Sequence, residues 1–220
     1  MQSVLSTSKS FRLVLLLAIT ACGTVPRMDL KTYQSQAILK PQALKLSAKA
    51  WLPRVQAEAL NWQKDAYLTG VYAFQLSGKS FLSYEFQSGH LPEKTLYMKM
   101  TEAGVLSQTL SQTQQVSERI VMENWKTSEQ EALALARTKG FNALDDFGVG
   151  LGSWKGMGIA NPGLKWSVLS FADPNTQYYY VIDDQTLQVW RCEPTSQPNQ
   201  GCLPTVKNIF LSLRNLEING

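Results

Sequence analysis

The sequence predicts an α+β fold of two similar modules, each one helix packed on a three-stranded antiparallel sheet. Three observations carry this. Two stretches show helical apolar spacing with a start signal, and each is followed by three runs of alternating character. The two halves also share short runs at nearly constant offset: Glu58-Ala59-Leu60 lies 73 residues before Glu131-Ala132-Leu133, and Trp51 lies 74 before Trp125. Leu96–Val105 aligns with Tyr180–Val189 at an offset of 84, the growth falling on the glycine-rich passage Gly148–Gly163.

In the first half, Pro53–Trp62 reads as a helix. Proline suits a first helical turn, where its missing N–H costs nothing, and Val55, Ala59 and Trp62 recur at helical spacing. Three strands follow. Tyr67–Ser77 places Leu68, Gly70, Tyr72, Phe74 and Leu76 on one face, Ser80–Gln87 places Leu82, Tyr84 and Phe86, and Lys94–Thr101 places Leu96, Met98 and Met100. Ser77-Gly78 and Ser88–Pro92 are the turns between them. The Gln/Ser/Thr-rich stretch Leu106–Ser117 reads as a linker or a solvated strand extension.

In the second half, Ser128-Glu129-Gln130-Glu131 is a capping box that opens a helix, with Ala132, Leu133, Leu135 and Ala136 as its apolar stripe and Gly140 as its stop. Strands are predicted at Phe147–Trp154, Leu164–Ala172 and Tyr178–Arg191, with Asp173-Pro174-Asn175 as the turn between the last two.

The N-terminus reads as an address. Lys9 and Arg12 precede the apolar run Leu13–Ile19, which is far short of the roughly 20 residues that span a bilayer, and small residues follow. Ile19-Thr20-Ala21-Cys22 resembles the bacterial lipobox. That resemblance implies cleavage before Cys22 and acylation of its sulfur and new amino group, and two or more chains give stable anchoring. The expected organisation is a leader at 1–21, a tether at 22–46, a first module at 47–118 and a second at 119–220.

Composition sets limits. Of 220 residues, 44% are hydrophobic and 17% charged, which supports a packed core. Without the leader, 19 basic residues face 17 acidic ones, and no dense Lys/Arg cluster remains to draw nucleic acid. His90 is the single histidine, so a His-rich metal centre is excluded, and no cofactor or metal site is expected. Beyond Cys22 the cysteines are Cys192 and Cys202. In an exported chain an even pair around Glu-Pro-Thr-Ser-Gln-Pro-Asn-Gln-Gly reads as a disulfide closing a loop.

The run Tyr178–Asp183, followed by Asp184-Gln185-Thr186-Leu187-Gln188-Val189, resembles the PepSY domain family, in which a helix and three antiparallel strands end in an Asp-x-x-Thr-Gly-x-Val turn. Asp183, Thr186 and Val189 fall at the family's spacing, and Leu187 stands where the family has Gly. The first half departs further, with Lys99 and Glu102 at the positions of Asp183 and Thr186. The resemblance spans about 47–105 and 125–191. It implies small secreted or lipid-anchored modules that bind ligands or inhibit peptidases, and it brings no catalytic residues.

The residues themselves offer little chemistry. His90 sits in a turn and reads as an exposed loop residue. Asp145-Asp146 and Asp183-Asp184 lack the spacing of a calcium loop and read as strand-entry and turn residues. Gly148, Gly150 and Gly152 fit neither nucleotide-binding pattern. They read as a strand of few side chains, with the option of an edge that a partner strand could pair with. Trp154 and Tyr179 are the aromatics set apart from the core as ligand contacts.

The expected function is that of a lipid-anchored envelope protein, not an enzyme, with a binding or inhibitory role towards a peptide or protein. The alternative is an envelope hydrolase or the accessory subunit of an envelope enzyme, which would have to use His90. A third reading is a purely structural assembly factor. Anchoring is testable directly: Cys22→Ser should release the protein from the membrane fraction or stall its processing. The mature protein should begin at Cys22 and carry acyl mass, and an unmodified N-terminus elsewhere would refute the address.

Overall fold

The computed structural model describes residues 31–33, 47–101, 106–112, 116–153, 163–171 and 178–193. In chain order the elements are β1 (Lys31–Tyr33), α1 (Ala48–Trp62), β2 (Tyr67–Leu76), β3 (Lys79–Gln87), β4 (Lys94–Thr101), β5 (Leu106–Gln112), a 3₁₀ turn (Met122–Asn124), α2 (Glu129–Thr138), β6 (Phe147–Ser153), β7 (Leu164–Ser170), β8 (Tyr179–Asp183) and β9 (Val189–Cys192). They build one antiparallel sheet in the order β1-β5-β4-β3-β2-β6-β7-β8-β9.

This corrects the expectation of two three-stranded sheets. β2 and β6 pair from Gly70↔Gly152 to Gln75↔Phe147, so the sheet runs through both halves without a break. Separate sheets would each have left a long edge of unpaired N–H and C=O groups, and pairing the two edges removes both. Each half also supplies a fourth strand. The Gln/Ser/Thr-rich stretch is β5, in register with β4 from Lys94↔Gln112 to Met100↔Leu106. The run expected as a single strand at Tyr178–Arg191 folds back on itself as β8 and β9. The order is thus mirrored about β2 and β6, with α1 leading β2–β5 and α2 leading β6–β9.

Helix α1 begins five residues before Pro53. Ser47 caps it, its hydroxyl accepting from the Ala50 N–H at 3.4 Å, and Pro53 lies on the exposed side of the helix interior. The capping box of α2 forms as expected between Ser128 and Glu131. Both helices lie on the same sheet face. Trp51, Leu52, Val55 and Ala59 of α1 and Ala132 and Ala136 of α2 share a core with Leu82, Tyr84, Phe86, Leu96, Met98, Val149, Trp166 and Ile182, and Trp62 and Leu133 pack at its margin.

Strand β2 departs from the expected alternation. A bulge at Thr69 breaks the register between Leu68 and Gly70. Leu68 therefore joins the helix-side core, while Tyr72 and Phe74 turn to the opposite face. That second face is also buried: Tyr72, Phe74, Phe81, Leu169, Phe171, Tyr179, Val181 and Cys192 form a separate cluster on it.

Turn chemistry fixes the hairpins. Ser77 and Gly78 both have positive φ (49° and 75°), the two-residue turn whose twist matches its strands. Their N–H groups donate to Asp146 Oδ1 at 3.1 Å and Asp145 Oδ2 at 2.8 Å, so the acidic pair at the entry to β6 caps the β2–β3 hairpin. Between β8 and β9, Asp183 Oδ1 accepts from the N–H groups of Gln185 and Thr186, and Leu187 takes φ 60°. The left-handed region costs an L-residue about 1–2 kcal/mol. Glycine avoids that cost but gives back about 0.4–1 kcal/mol through the unfolded chain. Leu187→Gly should therefore stabilise the fold by about 0.5–1 kcal/mol, read as a Tm higher by about 2 °C. An unchanged or lower Tm would show that the half-exposed leucine side chain contributes more than its backbone costs.

Candidate functional site

The second face is assembled from three rows that run across the strands. One row reads Thr101, Phe81, Phe74, Gly148, Leu169, Tyr179, Cys192 from β4 to β9. The next reads Lys99, Ser83, Tyr72, Gly150, Ser167, Val181, Trp190. The third reads Tyr97, Glu85, Gly70, Gly152, Lys165, Asp183. The four glycines lie together at the middle of the sheet and form a lane without side chains. Rings border it. Phe74 stacks on Phe81 with centroids 4.8 Å apart and on Phe171 at 6.2 Å. Tyr72 folds back over Gly70, where a Cβ would stand 2.7 Å from its hydroxyl oxygen.

Charge flanks the lane on both sides in the same row. On β3, Glu85 Oε2 accepts from the Tyr72 hydroxyl at 3.1 Å. Burial pushes the Glu85 carboxyl above the usual carboxylate range, and hydrogen bonds from Tyr72 and Thr69 offset only part of that. The Tyr97 phenol beside it is raised by burial and by the nearby Glu85 charge. Lys99 stands over the Phe81 ring at 4.4 Å and is lowered by burial and by Lys79.

On β7, Lys165 is fully buried and donates to Asp183 Oδ2 at 2.6 Å, with the Trp190 ring 5.5 Å from its ammonium. Burial raises the Asp183 carboxyl, but the Lys165 ammonium and the two turn N–H groups outweigh it, and the net direction is down. Glu85 and Lys165 are three strand steps apart, about 14 Å.

The structure redistributes the residues singled out from sequence. Gly148, Gly150 and Gly152 lie on β6, an interior strand paired with β2 and β7, so their backbone is not an edge open to a partner strand. Edge character was inferred from glycine content, but the alternate Phe147, Val149 and Leu151 anchor β6 to the helix-side core. Tyr179 is buried in the row of Gly148. Trp154, Cys22 and Cys202 lie outside the described residues, and Cys192 is fully buried on the second face.

Asp184, also fully buried, clasps the approach to α2: it accepts from the N–H groups of Lys126 and Thr127 and from the Trp166 indole. His90 does meet an orienting carboxylate, Asp65, at 2.9 Å. Yet Ser88 donates its hydroxyl to that same Asp65 at 2.6 Å instead of meeting the imidazole, and the His90 N–H bonds Ser88 Oγ at 3.0 Å. Ser88 above all, with His90, holds the Asp65 carboxyl well below the usual range, so the three residues lock a turn. Among the described residues no group of three His, Cys, Asp or Glu side chains could hold a metal. Glu85, Lys99 and Lys165 escaped the sequence reading. Their signal was a single charged residue in the interior of each of β3, β4 and β7, at a position that alternates away from the helix-side core.

The raised Glu85 carboxyl predicts a pH dependence. Its folded-state pKa lies above the unfolded value, so just above that value the folded chain holds a proton that the unfolded chain has lost. Stability should fall as pH rises through this window and stay lower beyond it. Glu85→Gln removes the penalty, so the variant should match the parent near pH 4 and exceed it at pH 7 in urea unfolding. An equal offset at both pH values would refute the assignment.

Comparison with known proteins yields little. No family model matches the chain, and no curated protein does. A solved structure, named a "putative lipoprotein" from Clostridium difficile 630, aligns at 11% identity with a TM-score of 0.45, covering 64% of this chain and 91% of that one. Similarity at that level transfers neither activity nor ligand. The PepSY resemblance thus rests on the run Tyr178–Val189, inside a sheet of different construction.

Proposed function

We propose that this chain is a lipid-anchored protein of the bacterial envelope that binds an extended peptide or protein segment on the second sheet face, without catalysing a reaction on it. The lipobox-like Ile19–Cys22 supports the anchor and the envelope location. A disulfide between Cys192 and Cys202 belongs to the same proposal, since an exported chain meets an oxidising compartment.

One observation carries the binding role: a strip of glycines bordered by Tyr72 and Phe74, with Glu85 and Lys165 flanking it in one row. The glycines add no side chains to the strip: Gly148 and Gly150 are buried, Tyr72 covers Gly70, and Gly152 is half-buried, so an approaching chain would enter at the Gly152 end. Rings supply contact area at low entropic cost, and the charges fix its direction. Side chains, not a free strand edge, would do the recognising, because β6 is paired on both sides. Tyr97, Lys99 and Glu85 on β3 and β4 retain partial exposure and form the accessible end of the face.

A photo-crosslinking amino acid at position 99, used in the native envelope, tests this. It should capture a species that the same group at the exposed α1 position 54 does not. Gly150→Val should abolish that capture while shifting Tm by no more than a few degrees. Identical capture from both positions, or capture indifferent to Gly150→Val, would overturn the proposal.

A further inference from the structure

The two helices start beside each other. The Glu129 carboxylate at the head of α2 accepts from the Ala48 N–H at the head of α1 at 2.8 Å. Trp51 follows Ala48 at the spacing that shares a helix face, and both are buried. A long side chain in a helix leans back over the turn that precedes it, so the Trp51 indole lies over the turn that Glu129 holds. Tyr84 reaches the same point from the sheet. Its hydroxyl donates to the Ala48 carbonyl at 2.8 Å, and burial, then the Glu129 charge, push its phenol up.

Hydrogen bonding at this junction is incomplete on both sides. Glu129 Oε1 takes the Ala48 N–H and the Gln130 side-chain amide at 3.1 Å, whereas Oε2 takes no hydrogen bond. Trp51 Nε1 donates none. Both atoms are sealed from solvent, in residues that keep 5% and 1% of their surface. Leaving a buried polar group unpaired costs its desolvation, and native proteins pair nearly all of theirs with protein or ordered water. Here one orphan is an acceptor and the other a donor, so a single molecule can satisfy both.

Chemistry narrows that molecule. It must accept from an indole N–H and donate to a carboxylate, which is what a hydroxyl does. An anion would face the Glu129 charge. A cation would face the indole N–H and the positive ends of two helices. Trp51, Glu129 and Tyr84 are all sealed, so no group of a larger ligand reaches in from outside.

We infer that one internal water bridges Trp51 Nε1 to Glu129 Oε2 as a structural part of the junction between α1 and α2. The water ties the first half of the chain to the second on the helix side of the sheet. It stands apart from the binding face proposed above, which lies on the other side.

A high-resolution crystal structure of the full-length protein tests this without any variant. It should show a water within about 3.2 Å of both Trp51 Nε1 and Glu129 Oε2. A direct bond between the two side chains, another protein group on either atom, or a site without density would overturn the inference. In solution, the Trp51 indole proton should give laboratory-frame and rotating-frame Overhauser cross-peaks to water of opposite sign, the mark of a long-held molecule. Trp51→Phe assigns that signal among the six tryptophans by deleting it. An indole proton with no water cross-peak, or with the same-sign pair that marks chemical exchange, would refute the bridge.

Discussion

The pairing of β2 with β6 is the constraint on which the rest depends. Among the described residues it joins β2–β5 to β6–β9, and it sets which residues face which way across the nine-stranded sheet. Once Tyr72 is opposite Gly150, the side chains of β6 can point only two ways. Phe147, Val149 and Leu151 go to the helices, and the glycines go to the other face. The same register puts Tyr72 and Phe74 beside that empty strip. A strand of alternating glycines is weak in isolation, because glycine loses most entropy on ordering and gives little to pack. Its place between two long partners compensates, since every residue from Phe147 to Gly152 has a neighbour on both sides.

The helices are joined by an equally non-local device. Glu129, at the start of α2, accepts from the Ala48 N–H at the start of α1 at 2.8 Å, so one buried carboxylate serves the positive ends of both helices. Tyr84 donates its hydroxyl to the Ala48 carbonyl at 2.8 Å, and Lys49 donates to the Trp125 carbonyl at 2.6 Å. Asp184 ties the same approach to α2 back to β7 through Trp166. Both helix N-termini are thereby fixed to the sheet and to each other, which holds the two halves as one body around β2 and β6.

These couplings explain what the sequence could and could not disclose. Both helices and six of the strands were legible, because Val55–Ala59 and the capping box at Ser128 are local, and Leu82-Tyr84-Phe86 alternates cleanly. β5 was not, since Ser107, Gln108, Thr109 and Ser111 carry no apolar alternation, although Gln108 and Ser111 are buried. The single sheet was not legible either, because pairing between residues as far apart in sequence as Gly70 and Gly152 leaves no trace in either strand. Of the candidate site, the glycines were visible and their setting was not. Their spacing suggested an open edge, while the flanking Glu85 and Lys165 looked like ordinary polar alternation. The Thr69 bulge reversed the facing of the rest of β2, and a one-residue shift of that kind is invisible to a period-two reading.

The charges on the second face are hard to account for by stability alone. Burying an ammonium and a carboxylate costs each its hydration, and an apolar pair of similar volume usually does as well or better. Lys165 and Asp183 recover part of that cost through the 2.6 Å contact, the Trp190 ring and the turn N–H groups. Glu85 recovers less, and burial holds its carboxyl towards the neutral form. A face meant only as a second core would have filled these positions with Val or Leu, as Val181 and Leu169 fill theirs. What buried charge adds is direction. Under the proposed binding role, a segment crossing the lane would have the Glu85 carboxyl on one side and the Lys165–Asp183 ion pair on the other, so its two orientations would differ in energy where a uniformly apolar face would accept both.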